Sequence, residues 1–258
     1  MKDCSSKILI YAREKMDLYS SEVADFHREF VTDFINNYFD DTLKADEDSY
    51  QAFLLKLNDS IRNYDFKNVP IDDEPLKKFP MILDFNSIRC YLITFFKLDL
   101  DNTLKTVNAT VNSKFPYKID IDNLCSSINK IETIFDASIK KSESFEDFKE
   151  TTSDFFDDIV TTKNYLEYLL LKIYYNILLD SIVIWGTYIY NKSAKKGKVW
   201  DWIKEGWESV KPYATADAGG AVGTGLVGLA AGPAGALTGA LAGGAIASIA
   251  KGVETLLS

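Results

Sequence analysis

Residues 164–190 read NYLEYLLLKIYYNILLDSIVIWGTYIY and form the most apolar stretch in the first 190 residues of the chain. From Ile173 to Tyr190 there is one charged residue, Asp180, and a lysine-rich segment follows directly. This pattern is typical of two kinds of helix. One is a membrane span whose basic end stays in the cytoplasm, and the other is the central helix of a bundle, surrounded by its neighbours.

Polar residues help to choose between these two alternatives. They recur at every fourth or fifth position, as Glu167, Lys172, Asn176 and Asp180. This spacing leaves a narrow polar stripe on one face of a helix, and a helix that faced lipid on all sides would not keep it. The sequence therefore favours a core helix, with a membrane span as the alternative.

Apolar residues outside this stretch also recur every three or four positions, which predicts helices. Three series show it most clearly: Val23, Phe26, Phe30, Phe34 and Tyr38; Ile121, Leu124, Ile128, Ile131 and Phe135; and Phe145, Phe148, Thr152, Phe155 and Ile159. Alternating patterns typical of strands are nearly absent, and prolines at positions 70, 75, 80 and 116 separate the helical runs. We therefore predict an all-α fold in which residues 1–190 form an acidic helical bundle.

A short repeat occurs as KLDLDN at 97–102 and KIDIDN at 118–123. A calcium-binding loop starting at Asp99 or Asp120 would need glycine at its sixth position and glutamate at its twelfth, and neither copy provides them. The second copy directly precedes a strongly periodic helix, so Asp120 or Asp122 is well placed to accept hydrogen bonds as the helix N-cap. We predict turns or caps at these positions rather than a metal site.

The charge of the chain is unevenly distributed. The formal charge is −9, and because residues 191–258 carry +2, residues 1–190 carry −11. An acidic body argues against nucleic acid as a partner, since phosphate binding needs clustered lysine and arginine. The three cysteines are far apart and odd in number, which fits neither a disulfide framework nor a zinc site. The N-terminus lacks the apolar run of a signal peptide, so we expect synthesis in the cytoplasm followed by membrane association or signal-independent secretion.

The composition changes near residue 191. Residues 191–214 begin with a basic linker, NKSAKKGK, and continue with VWDWIKEGWESVKPY, whose apolar positions lie on one side of a short helix. Tryptophan beside lysine is typical of a helix at a membrane–water boundary, which makes four residues candidates for a membrane interface: Trp200, Trp202, Trp207 and Lys204. Docking of the same tryptophans on the bundle is the alternative.

The terminal segment, residues 215–258, is rich in small residues. The 33 residues from Ala218 to Ala250 carry no charge, and they include ten glycines and eleven alanines. Many of the glycines are four residues apart, which places them on one helix face where a second backbone can approach closely. The candidates for helix packing and membrane insertion are Gly219, Gly223, Gly228, Gly232, Gly235, Gly239 and Gly243.

The same glycines make this segment unfavourable as an isolated helix. Each costs about 1 kcal/mol relative to alanine, so ten cost about 10 kcal/mol, and we expect order only where another helix or lipid covers the backbone. Pro233 divides the segment into helices predicted at about 215–231 and 234–257, with Gly232–Pro233 as the turn. Asp217, Lys251 and Glu254 would then lie at the open end and leave an apolar tip, as membrane insertion requires. A hairpin buried against the bundle and a flexible tail are the alternatives.

The sequences WDWIKEGW, from Trp200, and ATADAGGAVGTGLVGLAAGPAGALTGALAGG, from Ala214, resemble the glycine-zipper segments of bacteriocin-like peptides. The resemblance implies GxxxG helices that associate in a target membrane. It covers about a fifth of the chain, and the chain departs from small bacteriocins by its long acidic body and by the lack of an N-terminal leader ending in Gly-Gly. The layout of a helical body followed by an apolar hairpin is also similar to that of pore-forming colicins, without a match of individual residues.

Residues for catalysis are scarce. His27 is the only histidine, and its position next to Phe26 predicts a residue at the boundary or surface of the fold. Acidic pairs such as Asp40–Asp41 and Asp157–Asp158 are typical of a solvated helix face. GTGLVG, residues 223–228, matches GxGxxG, but no strand precedes it and no carboxylate follows about twenty residues on. We predict no enzyme activity, no cofactor and no metal.

The leading functional hypothesis is a membrane-active or membrane-anchored bacterial protein, with an antibacterial toxin as one specific form, that inserts the hairpin into a lipid bilayer. It implies self-association through the glycine zipper and an immunity or carrier protein as a partner. The alternative is a soluble helical interaction protein whose hairpin mediates self-association or packs on the bundle.

Overall fold

The computed structural model describes residues 2–38, 119–193, 196–228 and 233–257. These residues contain seven α-helices and no strand, so the fold is all-α, as predicted. The helices are α1 (Lys2–Tyr38), α2 (Ile121–Ile139), α3 (Phe145–Val160), α4 (Tyr165–Lys192), α5 (Val199–Glu205), α6 (Trp207–Gly228) and α7 (Pro233–Leu257). The first copy of the short repeat, Asp40–Asp41 and the prolines at 70–116 lie outside the described residues.

Helix α4 lies at the centre of the fold and packs against α1, α2, α3, α5 and α6. Among the described residues it is the one helix long and apolar enough to cross a membrane by length and composition, and 72% of its most apolar window is buried by the rest of the protein. Asn164 is the N-cap of α4, and its side chain accepts hydrogen bonds from two backbone N–H groups of the first turn. In this structure the apolar stretch is therefore the core helix.

The polar stripe of α4 faces α1. Several side-chain pairs join the two helices, among them Tyr168 with Asp17 at 2.6 Å, Asn176 with Ser20 at 3.2 Å, and Asp180 with Arg28 at 2.9 and 3.0 Å. Residue numbers increase together along both helices, so α1 and α4 run parallel. Of the polar stripe predicted from the sequence, Lys172, Asn176 and Asp180 meet α1, whereas Glu167 accepts a hydrogen bond from the Asp120 backbone N–H at 3.0 Å.

Burial affects the electrostatics of the pair formed by Asp180 and Arg28. The Asp180 side chain is mostly buried, and burial raises the pKa of its carboxyl, while the hydrogen bond and charge of Arg28 act in the opposite direction. The hydrogen bond to Asp180 in turn raises the pKa of the Arg28 guanidinium. The pair is therefore held by mutual stabilisation of the charged forms.

Helices α2 and α3 form a hairpin beside α4. Asp120 is the N-cap of α2 and accepts from the Asn123 backbone N–H at 3.0 Å, which confirms the capping prediction for the second repeat. The predicted apolar stripe of α2 is fully buried. In α3 the prediction was wrong at one position, because Phe155 is 48% exposed and Phe156 is buried instead. The buried positions of α3 follow steps of four, which turns the stripe by one residue.

The C-terminal segment adds three helices to this body. The prediction of one short helix in VWDWIKEGWESVKPY is wrong, since the helix is interrupted at Gly206 and the segment contains α5 and the beginning of α6. Helix α6 begins at Trp207, before the predicted start at residue 215, and continues through Pro212. Helix α7 begins at Pro233, as predicted, and Gly232 lies outside the described residues.

The hairpin of α6 and α7 is part of the core of the bundle. Helix α6 runs antiparallel to α4, and α7 returns alongside α6 and packs against α1. The buried apolar residues of the hairpin and of the bundle form one continuous cluster, which extends from Val23 in α1 to Ile246 in α7. The sequence left three arrangements possible: membrane insertion, a hairpin buried against the bundle and a flexible tail. In this structure the hairpin is buried against the bundle.

Candidate functional site

Helices α6 and α7 approach so closely that side chains are excluded from part of their interface. A Cβ atom added at Gly239 would overlap the backbone carbonyl of Thr224, and one added at Gly243 would overlap the Thr224 side chain and the Gly220 carbonyl. A Cβ at Gly220 would lie 2.6 Å from the Gly243 carbonyl oxygen. We call this interface, centred on Gly220, Thr224, Gly239 and Gly243, the glycine seam. Close backbone approach of this kind is what a small-xxx-small pattern permits.

The candidate packing glycines fall into different environments. Gly239 and Gly243 lie in the seam, while Gly219 points into open space, with nothing within 4 Å of an added Cβ. Gly223 and Gly228 are buried in α6, Gly235 lies in the first turn of α7, and Gly232 lies outside the described residues. On α6 the seam uses Gly220 and Thr224 rather than Gly219 and Gly223. The periodicity was visible in the sequence, but the face that meets α7 is rotated by one residue.

Thr224 is the polar centre of the seam. Its Oγ1 lies 2.7 Å from the Gly220 carbonyl oxygen and 2.6 Å from the Gly239 carbonyl oxygen, so its one hydroxyl hydrogen can be donated within α6 or across to α7. Among the described side chains between residues 218 and 247, Thr224 alone carries a polar atom. The seam is thus closed on itself and needs no polar group of the bundle.

The three tryptophans among the candidate membrane-interface residues contact the bundle, whereas Lys204 pairs within its own helix. Trp207 is buried and donates from Nε1 to Asp136 Oδ1 at 2.8 Å. Trp200 packs against Phe145 and Phe148 of α3, and Trp202 packs against Tyr190. Lys204 is half-buried and lies 3.2 Å from Asp201. In this structure the tryptophans dock on the bundle, which was the alternative to a membrane interface.

A group of polar side chains is buried where α1, α4, α6 and α7 meet. We call it the polar cluster, and its members are His27, Ser181, Trp185, Asp217 and Ser248. Ser181 Oγ donates to Asp217 Oδ2 at 2.7 Å, and Trp185 Nε1 donates to the same oxygen at 3.0 Å. His27 Nε2 lies 3.5 Å from that oxygen and 3.2 Å from Ser248 Oγ. A single carboxylate oxygen therefore joins α6 to both α1 and α4.

One sequence prediction is wrong at this cluster. His27 was expected at the boundary or surface, yet its side chain is fully buried, as is that of Asp217, which was predicted at the open end of the hairpin. Burial of a carboxylate is tolerated only when donors surround it, and Ser181 and Trp185 supply them. His27 reaches the cluster because its ring packs on Gly244, where an added Cβ would lie 3.1 Å from His27 Cδ2. No single-helix pattern reveals such a site, because each helix contributes one or two residues.

The polar cluster is incompletely hydrogen-bonded. Asp217 Oδ1 and His27 Nδ1 are buried, and neither has a hydrogen-bond partner among the described residues. A buried polar atom without a partner costs about 1–3 kcal/mol, so the cluster fixes the hairpin in place with less stabilisation than a fully paired site would give.

The presence of serine, histidine and aspartate in one cluster invites comparison with a hydrolytic triad. In a triad the serine and the aspartate bind opposite nitrogens of the imidazole. Here Ser248 and Asp217 both approach Nε2, and all three side chains are fully buried. The geometry is that of a helix-joining contact.

The fold and the site define an all-α protein that carries a glycine-seamed helical hairpin inside its core, fixed by one buried carboxylate. No family model, no curated protein and no solved structure matches the chain. The geometry of the seam and of the polar cluster is therefore the basis for a functional assignment.

Proposed function

We propose that this protein is a membrane-active or membrane-anchored protein, and that the structure is its closed form, in which the inserting hairpin is stored inside the bundle. The observation that carries the proposal is the self-contained glycine seam. Helices α6 and α7 bind each other through their own backbones and through Thr224, so the hairpin keeps its tightest contacts when it leaves the bundle. In a bilayer the same contacts hold GxxxG helices together.

The distribution of charge supports the proposal. Between Ala218 and Ala250 the chain has no charged residue, so this part of the hairpin crosses a hydrocarbon layer without a charge to desolvate. Within α6 and α7 the backbone forms the regular hydrogen bonds of an α-helix, which lipid requires of any segment that it surrounds. Asp217 and Lys251 lie at the open end of the hairpin, where headgroups and water would meet them.

The choice of small residues also supports the proposal. A static core gains about 25 cal/mol for each Å² of apolar surface that it buries, and large aliphatic side chains provide far more of that surface than glycine and alanine do. Glycine further lowers the stability of the helix by about 1 kcal/mol per residue. A hairpin of this composition is only moderately apolar in water and packs tightly in lipid, which suits a segment that moves between the two.

The root of the hairpin offers a basic surface for anionic lipid. Lys192, Lys196 and Lys198 are exposed between α4 and α5, next to the partly buried Trp200 and Trp202. Lysine near a membrane surface contributes about 1 kcal/mol each in attraction to anionic lipid, and tryptophan favours the headgroup region. Under this proposal the partner of the protein is the lipid bilayer. If the protein forms a pore, the more specific function is that of an antibacterial toxin, with an immunity protein as a further partner.

The rival function is that of a soluble interaction protein in which the hairpin is a permanent part of the core. The observation that favours it is the continuous apolar cluster shared by the hairpin and the bundle. The two functions differ in what happens when lipid is added, because a permanent core does not leave water.

The test is flotation of the full-length protein with vesicles of phosphatidylglycerol and phosphatidylethanolamine, together with release of an encapsulated dye. We expect the protein to float. Dye release in addition would indicate a pore, and flotation alone an anchor. A protein that stays at the bottom of the gradient at every lipid composition and pH contradicts the proposal and supports the soluble rival.

Gly219 provides a matched pair of variants for the same assay. Because it faces open space, Gly219→Ala and Gly219→Asp are both compatible with the closed fold. Only the aspartate places a new charge in the inserting segment, and we expect it to reduce partitioning by about tenfold, since a charge near the edge of the apolar layer costs about 1–2 kcal/mol. Equal flotation of the two variants would show that a different part of the chain binds the membrane.

A further inference from the structure

The geometry points to a latch and a hinge in α6. We propose that Asp217 is the latch that keeps the hairpin in the bundle, and that Pro212 is the hinge about which the hairpin swings out as a unit. Residues Trp207 and Lys211 stay bound to α2 during this movement. The inference rests on the proposed function, because it describes how the same hairpin is released.

The latch is the polar cluster. Ser181 and Trp185 of α4 both donate to Asp217, and His27 of α1 contacts the same carboxylate oxygen. Beyond Asp217, towards the tip, the described side chains of the hairpin up to residue 247 make no hydrogen bond to the bundle, since Thr224 bonds only within the hairpin. Apolar packing and the contact between Ser248 and His27 also hold the hairpin, and the Asp217 carboxylate is the group through which α6 receives two hydrogen bonds from α4.

A second tie lies on the other side of the hinge, at the beginning of α6. Asp136 of α2 accepts from Trp207 Nε1 at 2.8 Å and from Lys211 Nζ at 2.7 Å. The hydrogen bond to Asp136 raises the pKa of Lys211, which shows that the charged pair is favourable in the fold. We call this contact the root clamp. It fixes the first turn of α6 independently of the polar cluster.

The helix is weakest between the clamp and the latch. Pro212 lies inside α6 and has no N–H, so the Glu208 carbonyl loses its normal helical partner. Thr215 Oγ1 donates to the Lys211 carbonyl at 2.9 Å, a bond that bends helices and competes with the backbone N–H. A kink is expected where proline interrupts a helix. The flexible point therefore falls between two fixed points, as a hinge requires.

The inference is tested in solution by hydrogen–deuterium exchange, without lipid, on the full-length protein. For Asp217→Asn, which keeps the size of the side chain and removes its charge, we expect exchange in residues 213–228 and 233–257 to rise by at least about tenfold. Exchange in α2 and in residues 199–211 should stay at the wild-type level. For Asp136→Asn the pattern should reverse, with faster exchange in 199–211 and protection kept at Gly220–Leu226.

Further variants separate opening from unfolding. Pro212→Ala in the Asp217→Asn background restores the missing hydrogen bond, and we expect it to reverse part of the increase in exchange. Exchange that rises equally in α1, α2 and α4 of Asp217→Asn would mean global unfolding and would overturn the latch, as would no change at all. Because the experiment contains no lipid, a protein that opens as described and then fails to float would contradict the membrane function and leave the latch intact.

Discussion

Two long helix pairs in this molecule are held together in opposite ways. Helices α1 and α4 meet through side chains, with Tyr168, Asn176 and Asp180 each bound to a partner on α1. Helices α6 and α7 meet where side chains are missing, and among the side chains that the structure describes here only Thr224 makes a hydrogen bond across the seam. The first interface is specific to its partner helix, whereas the second is a close backbone contact that uses no side chain of the bundle. Under the proposed function, the first pair is the scaffold and the second is the pair that moves.

The largest effect is expected from adding one methyl group to the seam. Gly239→Ala places a Cβ against the Thr224 carbonyl, which as backbone cannot turn aside. We expect the free energy of unfolding to fall by about 2–3 kcal/mol, because overpacking outweighs the better helix propensity of alanine. Urea denaturation followed by circular dichroism measures it. An unchanged midpoint would show that α6 and α7 are not in close contact in solution.

The second-largest loss of stability is expected at the interface between α1 and α4. It should depend on pH, unlike the loss at the seam. Arg28→Met leaves the buried Asp180 carboxylate without its partner, and we expect a loss of about 1–2 kcal/mol at pH 7. Arg28 lowers the pKa of Asp180, so the variant raises it further above the unfolded value of 3.8. A raised carboxyl pKa penalises the fold above that pKa, so the deficit should shrink as the pH falls from 7 towards 4.

Asp180→Asn provides the control for that experiment. In Arg28→Met/Asp180→Asn no carboxylate is left to desolvate, and the difference from Asp180→Asn alone should be small and independent of pH. A deficit of Arg28→Met that is the same at pH 4.5 and pH 7 would mean that the pair does not control the α1–α4 contact.

Thr224→Val tests the one polar bond of the seam at nearly constant volume. It removes the hydroxyl that lies 2.6 Å from the Gly239 carbonyl. We expect the free energy of unfolding to fall by about 1 kcal/mol, the usual net value of one hydrogen bond. If the variant proves as stable as the wild type, the seam depends on packing alone.

The smallest effect should have the opposite sign. Gly219→Ala lies on the same helix as the seam but faces open space, so alanine adds helix propensity without a clash. We expect a gain of about 0.5–1 kcal/mol in the free energy of unfolding. Thermal denaturation of Gly219→Ala and Gly239→Ala in parallel measures the two effects. A loss of stability in Gly219→Ala would show that the seam had been assigned to the wrong face of α6.

The sequence alone was enough for the features that depend on one helix at a time. The stripe of α2, the N-cap at Asp120, the polar side of α4 and the start of α7 at Pro233 follow from local spacing and capping. Features that depend on how helices meet were missed. A rotation by one residue separates Phe155 from the buried Phe156 and Gly219 from the seam residue Gly220. His27 was assigned to the boundary or surface, and the burial of Asp217 was not foreseen, because nothing in their own helices shows the donors that α4 provides.

The most direct test of the account asks whether the hairpin enters the membrane with its seam closed. A Cβ at Gly225 would lie 3.4 Å from the Ala240 Cβ, close to the separation in a disulfide and away from the polar cluster, so Gly225→Cys/Ala240→Cys can join α6 to α7. The other cysteines are replaced by serine, and flotation is compared before and after reduction. We predict that the oxidised and reduced proteins float to the same extent, because the hairpin moves as a unit. Flotation that is lost on oxidation and restored by reduction would show that the two helices must separate, which contradicts the account.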